Sequence, residues 1–134
     1  MDAVMTGETH NAFCAVRPPG HHAEPQRAMG FCLFNNVAVA AAHAQAVHGI
    51  DKVAVIDFDV HHGNGTQAAF WNLPKCMYVS THQSPLYPGT GRRNERGVGN
   101  IVNVPLMPYS STAELREAWE PLLRPPCKIF DPTS

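Results

Sequence analysis

The sequence lacks segments that would send a protein to or across a membrane. Its first residues, MDAVMTGETHNAF, have neither the basic stretch nor the apolar stretch of a signal peptide. No apolar run approaches the roughly 18 residues that a helix needs to cross a bilayer. We therefore expect a cytoplasmic protein, or a nuclear one if the source is eukaryotic.

Closely spaced cysteines and an excess of one charge are also lacking. The four cysteines, at positions 14, 32, 76 and 127, form no CxxC pair, which favours reduced, buried thiols. Lysine and arginine number 10 against 11 aspartate and glutamate residues, so the net charge is −1. A nucleic-acid binder normally carries a basic patch, so no direct nucleic-acid partner is predicted.

Repeats, low-complexity tracts and linkers are absent, so 134 residues are read as a single domain. The hydrophobic fraction of 44% and the charged fraction of 16% are those of an ordinary folded protein. From Arg124 onward the sequence loses all periodicity. We expect one partial domain over residues 1–123 and an irregular tail over 124–134.

Strand and helix patterns alternate along the chain. The predicted strands are 11–17, 52–59, 76–81 and 101–106, and the predicted helices are 36–48, 66–71 and 112–123. The run KVAVIDFD has the nearly continuous apolar character of a parallel strand buried on both faces. A long surface loop is expected over 82–99. This alternation predicts an α/β layered fold with a largely parallel sheet.

Eight histidines are present, and four of them form two adjacent pairs. One pair follows the predicted buried strand, in the segment DFDVHH. Side chains alternate in extended backbone, so Asp57, Asp59 and His61 are expected on the same side. Charged groups at the end of an apolar strand are costly to desolvate unless something offsets the cost. A divalent metal would do so, and carboxylate and imidazole are suitable zinc ligands.

The other pair, His21 and His22, lies in the segment RPPGHHA. Prolines stiffen the approach to the pair, and Gly20 permits a tight turn. Two neighbouring imidazoles near a metal-bound water could divide the roles of general base and general acid. A histidine pair in a loop is by itself more often solvated surface, so this hypothesis depends on the other motifs.

Four motifs occur in order: RPPGHHA, GFCLFNN, DFDVHHGNGTQ and YPGTG. Together they resemble the histone deacetylase and acetylpolyamine amidohydrolase family, and the resemblance runs from about Asn11 to Leu106. Asn64 resembles the class II and bacterial branch, since other branches carry aspartate there. The resemblance implies a three-layer α/β fold of the arginase/deacetylase type, with a mostly parallel sheet flanked by helices, truncated in this chain.

The resemblance also implies roles for individual residues. Asp59 and His61 match two zinc ligands. His21 and His22 match the tandem catalytic histidines, with Asp57 as the partner of His21 and Asn64 as the partner of His22. A carboxylate partner favours an imidazolium and an amide does not, so the two histidines are expected to differ in basicity.

Further positions match a substrate tunnel and a potassium ion beneath the zinc. The tunnel walls match Gly30, Phe31 and Tyr87, and core packing is the competing interpretation for Phe31. The potassium ligands match Asp57, Asp59, His61, Ser80 and Thr81. The remaining histidines, His10, His43, His48 and His82, are expected at the surface or behind the site, with no assigned role.

The chain departs from the family pattern after Leu106. The family's third zinc ligand and its oxyanion-stabilising tyrosine match no residue here; Asp131 and Tyr109 lack the expected motifs. The implied function is zinc-dependent hydrolysis of an acetyl amide, with an acetyl-lysine protein or an acetylated polyamine as substrate and an oligomer possible. The alternatives are a catalytically inactive fragment of the family and an arginase-like enzyme with two manganese ions.

Overall fold

The structure is a computed structural model that describes residues 1–123. Its helices are α1 (Asp2–Met5), α2 (Asn36–His48), α3 (Asn64–Phe70) and α4 (Thr112–Leu123), and its strands are β1 (Val53–Asp57), β2 (Cys76–Gln83) and β3 (Ile101–Leu106). The proposed tail 124–134, with Cys127 and Asp131, lies outside the described residues. No helix within 1–123 is long and apolar enough to span a membrane.

The three strands form one parallel sheet in the order β1-β2-β3. β2 is the central strand and is buried over almost its whole length. Parallel strands run in one direction, so their carboxyl ends meet at one edge of the sheet. In the register, Asp57 at the end of β1 faces Ser80, and Ser80 faces Asn103 of β3. The predicted parallel α/β architecture is confirmed.

α2 begins and ends where its sequence predicts. Asn35 is the N-cap, and its side chain accepts a hydrogen bond from the Ala38 backbone N–H. Gly49 ends the helix in the left-handed conformation, at φ 67°. α2 and α3 pack against each other; in addition, α2 packs against β1 and α3 packs against β2. Their contact surface forms the main core cluster, which contains Ala41, Phe70, Cys76, Tyr78 and Ile101.

Two expectations about strands were wrong. Residues 11–17 form no strand, and Phe13 is 93% exposed. An apolar run becomes a strand only where it pairs with another, and within residues 1–123 this run pairs with none. β1 is not buried on both faces: Val53 and Val55 pack against the core, whereas Ile56 is 52% exposed on the opposite face. Nothing in the described residues covers that face.

The cysteines differ from one another in burial. Cys32 and Cys76 are buried free thiols, as expected, whereas Cys14 is exposed. Cys32 holds the chain close to the first histidine pair, because its sulfur accepts a hydrogen bond of 3.2 Å from the Gly20 backbone N–H. The buried thiols therefore have a packing role in this fold.

Candidate active site

The chain turns sharply where β1 ends. Asp57 Oδ1 accepts a hydrogen bond from the Asp59 backbone N–H at 3.2 Å, and Asp59 Oδ1 accepts one from the His61 backbone N–H at 2.8 Å. Each aspartate thus bonds the backbone two residues ahead, a geometry typical of Asx turns. The turns bring His61 Nδ1 to 3.3 Å from Asp59 Oδ1. Asp59 and His61 therefore lie close together as expected, but the predicted cause was wrong: β1 ends at Asp57, and turns rather than extended backbone bring the two side chains together.

His21 lies beside the end of β1, although 36 residues separate it from Asp57. Its Nδ1 donates to Asp57 Oδ2 at 2.9 Å, and both side chains are almost buried. The same carboxylate oxygen accepts a 2.9 Å hydrogen bond from the Tyr78 hydroxyl. Tyr78 in turn accepts from the Gly63 backbone N–H. This chain of bonds fixes the His21 ring from behind.

His22 has an amide partner instead. Its Nδ1 lies 2.9 Å from Asn64 Oδ1, and the Asn64 amide nitrogen donates to Glu24 Oε1 at 2.7 Å. Glu24 therefore orients the amide so that its oxygen faces His22. Because that oxygen can only accept, Nδ1 of His22 carries the proton. The other ring nitrogen, Nε2, is then free to accept a proton.

The two histidines respond to these partners in opposite directions. Burial lowers the pKa of His21, but the hydrogen bond and charge of Asp57, with the charge of Asp59, outweigh it and raise the pKa overall. Burial also lowers the pKa of His22, and the nearby His21 and His61 lower it further. The hydrogen bond to Asn64 raises this pKa but does not offset the lowering. The expected difference in basicity therefore has a structural cause.

Both histidines open onto one cleft of about 1040 Å³. The ring centroids of His21 and His22 are 4.1 Å apart, and those of His22 and His61 are 6.0 Å apart. The cleft residues predicted from sequence are His21, His22, Gly30, Phe31, Asp59, His61 and Tyr87, and the cleft is further lined by Arg17, Pro18 and Pro19. The structure therefore brings separate sequence motifs together at the carboxyl end of β1.

Comparison with known proteins identifies the lineage. The family model for the histone deacetylase domain matches residues 1–134. The chain belongs to the histone deacetylase family. This family consists of amidohydrolases, and the deacetylase-like α/β fold expected from the sequence agrees with the match.

Relatives in the histone deacetylase family come from distant organisms. Histone deacetylase 14, chloroplastic, of Arabidopsis thaliana is 47% identical over 124 residues, covering 90% of this chain and 29% of the relative. A histone deacetylase-like amidohydrolase of Pseudomonas aeruginosa is 43% identical over 137 residues, which cover 98% of this chain and 36% of that relative. The crystal structure of the HDA15 HD domain matches with a TM-score of 0.73 and 51% identity, over 77% of this chain and 32% of that one. The chain thus spans about a third of these relatives.

Histone deacetylases are generally zinc-dependent, and Asp59 and His61 suit zinc in part. They supply one carboxylate and one imidazole within 3.3 Å, which are zinc-type donors. No third histidine, cysteine, aspartate or glutamate among residues 1–123 completes a group of three with them. A catalytic zinc usually takes three protein ligands. These residues therefore fit two positions of a zinc shell, and their assignment as ligands stays a prediction.

The tunnel residues differ in how they contact the site. Tyr87 packs edge-on against His22, with ring centroids 5.1 Å apart. Gly30 is closer still: a Cβ there would lie 2.3 Å from the His22 ring, so only glycine fits. Phe31 is 98% exposed and lines the cleft, which excludes the core-packing interpretation. The tunnel role of these three residues remains a prediction.

Of the five positions that match potassium ligands, Ser80 and Thr81 are buried. Ser80 and Thr81 lie in β2 with almost no exposed surface. The Ser80 hydroxyl donates to His82 Nδ1 at 2.9 Å, since His82 Nε2 must donate to the Gly91 carbonyl oxygen. Backbone carbonyls are suitable potassium ligands, and these side-chain contacts neither require nor oppose an ion.

Sequence reasoning missed a buried polar network behind the cleft. The rings of His62 and His82 are in contact at a tilt of 53°, with centroids 4.7 Å apart, and the Gln67 side chain lies 3.1 Å from His62 Nε2. Burial, and then the charge of His82, lower the pKa of His62 to about 4. Thr90 lies 2.7 Å from His62 Nδ1, so the network holds the segment that carries Tyr87. His62 and Gln67 lie in the DFDVHHGNGTQ motif and Thr90 in the YPGTG motif, but neither motif indicated that these side chains contact one another.

Two other functional contacts also escaped prediction. Tyr78 was assigned to a strand, yet its hydroxyl supports Asp57. Glu24 was not singled out, yet it orients Asn64. Both residues act on a partner far along the chain, 21 and 40 residues away. Such contacts depend on how the strands and loops pack, which a single sequence does not contain.

Proposed function

We propose that this chain supplies the acid/base half of a zinc-dependent deacetylase site, and that the substrate is an acetyl-lysine side chain. The observation that carries the proposal is the convergence of His21–Asp57 and His22–Asn64 on the cleft that contains Asp59 and His61. A tandem pair with one carboxylate partner and one amide partner suits two opposite proton transfers.

The hydrogen bonds assign a role to each histidine. His22 donates through Nδ1 to Asn64, so its Nε2 lone pair can accept the proton of an attacking water. His21 is stabilised as an imidazolium by Asp57, so it supplies positive charge and a proton to the departing amine. Zinc held by Asp59 and His61, with a ligand from elsewhere, would polarise the acetyl carbonyl and activate the water.

The cleft has the chemistry expected for an acyl-lysine chain. Tyr87 and Phe31 present aromatic surface to an alkyl stem, and Pro18 and Pro19 add apolar wall. Gly30 also lines the cleft and packs directly against the His22 ring, which holds that ring at the cleft wall. An uncharged acetylated side chain therefore suits this largely apolar wall better than a charged guanidinium such as that of arginine.

The experiment replaces the matching segment of the Pseudomonas aeruginosa amidohydrolase with residues 1–134. The chimera, loaded with zinc, is assayed for acetate release from an acetyl-lysine peptide and from an acetylated polyamine. We expect peptide hydrolysis, and a loss of about 10²–10⁴-fold in kcat for His22→Ala, the range that a general acid or base contributes.

The matched control is His10→Ala, which removes an exposed histidine that has no place in the cleft. It is expected to leave the rate unchanged. A folded, zinc-loaded chimera in which both variants are equally active would overturn the acid/base assignment. A clear preference for the acetylated polyamine would contradict acetyl-lysine as the substrate, but the proposed type of reaction would still hold.

A further inference from the structure

A second group of histidines lies away from the cleft. We call it the terminal cluster: Asp2 of α1 with His43 and His48 of α2. His43 Nε2 lies 2.6 Å from Asp2 Oδ1, and His48 Nε2 lies 2.8 Å from the same oxygen. The two rings meet edge-on with centroids 5.5 Å apart. Three side chains, separated by 41 and 46 residues in sequence, thus converge on one point.

This convergence is typical of a ligand set. One carboxylate–histidine pair would suffice to attach α1 to α2, yet two imidazole nitrogens are directed at a single oxygen. Within residues 1–123 this is the only group of three histidine, cysteine, aspartate or glutamate residues whose ligand atoms all lie within 4.8 Å of one another. Two imidazoles and one carboxylate are donors that zinc and its first-row neighbours prefer.

The surroundings leave room for a hydrated ion. The Asp2 side chain is 67% exposed and that of His43 38% exposed, so water can reach the cluster. No residue of α1 is buried, so this helix has little apolar contact to fix it. A bound cation would therefore both complete its coordination with water and connect α1 to α2.

We propose that Asp2, His43 and His48 bind a divalent transition-metal ion of the zinc class, separate from the cleft. The site is complete within the described residues, unlike the Asp59–His61 pair with its two donors. In the isolated chain, zinc binds first at the terminal cluster. The ion holds α1 on α2 and takes no part in the chemistry of the cleft.

The test is zinc titration of the metal-free chain 1–134 against a chromophoric chelator, repeated with Co²⁺ for its absorption bands. Alanine favours helix, so His43→Ala and His48→Ala leave α2 able to form. Losing an orienting neighbour of a ligand typically costs about 10–100-fold in metal affinity, so we expect each variant to lose at least that much. His10→Ala is the matched control.

Two further variants separate the two sites. Asp59→Ala and His61→Ala are expected to leave the first zinc equivalent in place. Loss of that equivalent in either variant, retention in His43→Ala, or no binding by a folded chain would each overturn the proposal. Circular dichroism checks folding, and Co²⁺ broadening of the Ala44 amide NMR signal, but not that of Val60, locates the ion.

If chain 1–134 does not fold alone, the chimera with the Pseudomonas aeruginosa amidohydrolase decides the question. The chimera should bind one zinc ion more than its His43→Ala variant, with both proteins equally folded. An equal zinc content in the two proteins would overturn the proposal.

Discussion

Residues 1–123 contain two histidine–carboxylate clusters that are built differently. In the pocket cluster, formed by His21, His22, Asp57, Asp59, His61 and Asn64, each tandem histidine has a partner of its own. In the terminal cluster, two histidines share one oxygen of Asp2. The His21–Asp57 pair is almost buried, whereas Asp2 is mostly exposed.

This difference separates acid/base chemistry from metal binding. Separate partners of unlike charge give neighbouring imidazoles different basicities, which proton transfer in two directions requires. A shared partner directs the nitrogens of both imidazoles at one point, which a metal ion requires. The residue types are nearly the same in the two clusters, so their arrangement determines what each can do.

The largest expected effect concerns the completeness of each cluster. The pocket cluster offers two zinc donors, whereas the terminal cluster has three. In addition, no residue of 1–123 matches the tyrosine that the family resemblance implies for stabilising the oxyanion. With zinc added, chain 1–134 is expected to release acetate at least about 10²–10³-fold more slowly than the chimera, the cost of one missing oxyanion donor. The prediction would be contradicted if the chain alone released acetate at the chimera's rate. That activity would also have to be sensitive to a chelator and abolished by His22→Ala.

The next effect compares a glycine beside each cluster. Gly30, at φ 56°, has no space for a Cβ next to His22, whereas Gly49, at φ 67°, follows His48 and has open space. Alanine at either position meets a backbone cost of about 1–2 kcal/mol. Gly30→Ala is expected to lose about 1–3 kcal/mol more through the clash with His22.

Urea denaturation of the two glycine variants measures the difference. Gly30→Ala should also lower kcat in the chimera, because the displaced His22 ring loses its position in the cleft. Equal unfolding free energies for Gly30→Ala and Gly49→Ala would show that the pocket cluster is no more tightly packed than the terminal cluster.

A smaller effect follows from changing the partner of His22. Asn64→Asp would give both tandem histidines carboxylate partners and raise the pKa of His22. Because Asn64 also contacts Glu24 at 2.7 Å, the variant is combined with Glu24→Gln to avoid two adjacent carboxylates. His22 must be neutral to accept a proton, so the acid limb of the chimera's rate profile should move to higher pH.

Glu24→Gln alone is the control for this double variant and keeps the amide partner. NMR titration of the His22 ring in the metal-free chain measures the pKa directly. An unchanged pKa in the double variant would mean that burial, and not the partner, determines the basicity of His22.

How far the sequence predicts these features depends on the range of the contacts. α2 over 36–48, and the parallel strands β2 and β3, follow from local patterns and were confirmed. The pairs His21–Asp57 and His22–Asn64 were reached only through the family resemblance, and their geometry was confirmed. The residues themselves gave no reason to join positions about 40 apart.

The errors have the same origin. Residues 11–17 and the outer face of β1 have apolar sequence, but a strand or a buried face needs a second surface, and none lies within the described residues. His43 and His48 are five residues apart on one helix, which gives no sign of a cluster until Asp2 packs beside them. Local chemistry predicted elements, and long-range packing determined the sites.

The smallest expected effect is on the terminal cluster without metal. Hydrogen bonds from His48 and then His43 lower the pKa of Asp2 from its usual 3.8 to about 2. A depressed carboxyl pKa stabilises the fold above pH 4, and that contribution is lost as the pH falls towards 2. Because Asp2 is exposed, solvent screens the interaction. Asp2→Asn should therefore leave the urea midpoint at pH 7 nearly unchanged, while abolishing the zinc-dependent rise of that midpoint. If Asp2→Asn without metal lost as much stability to urea as Gly30→Ala does, the cluster would instead be a structural contact that holds α1 on α2.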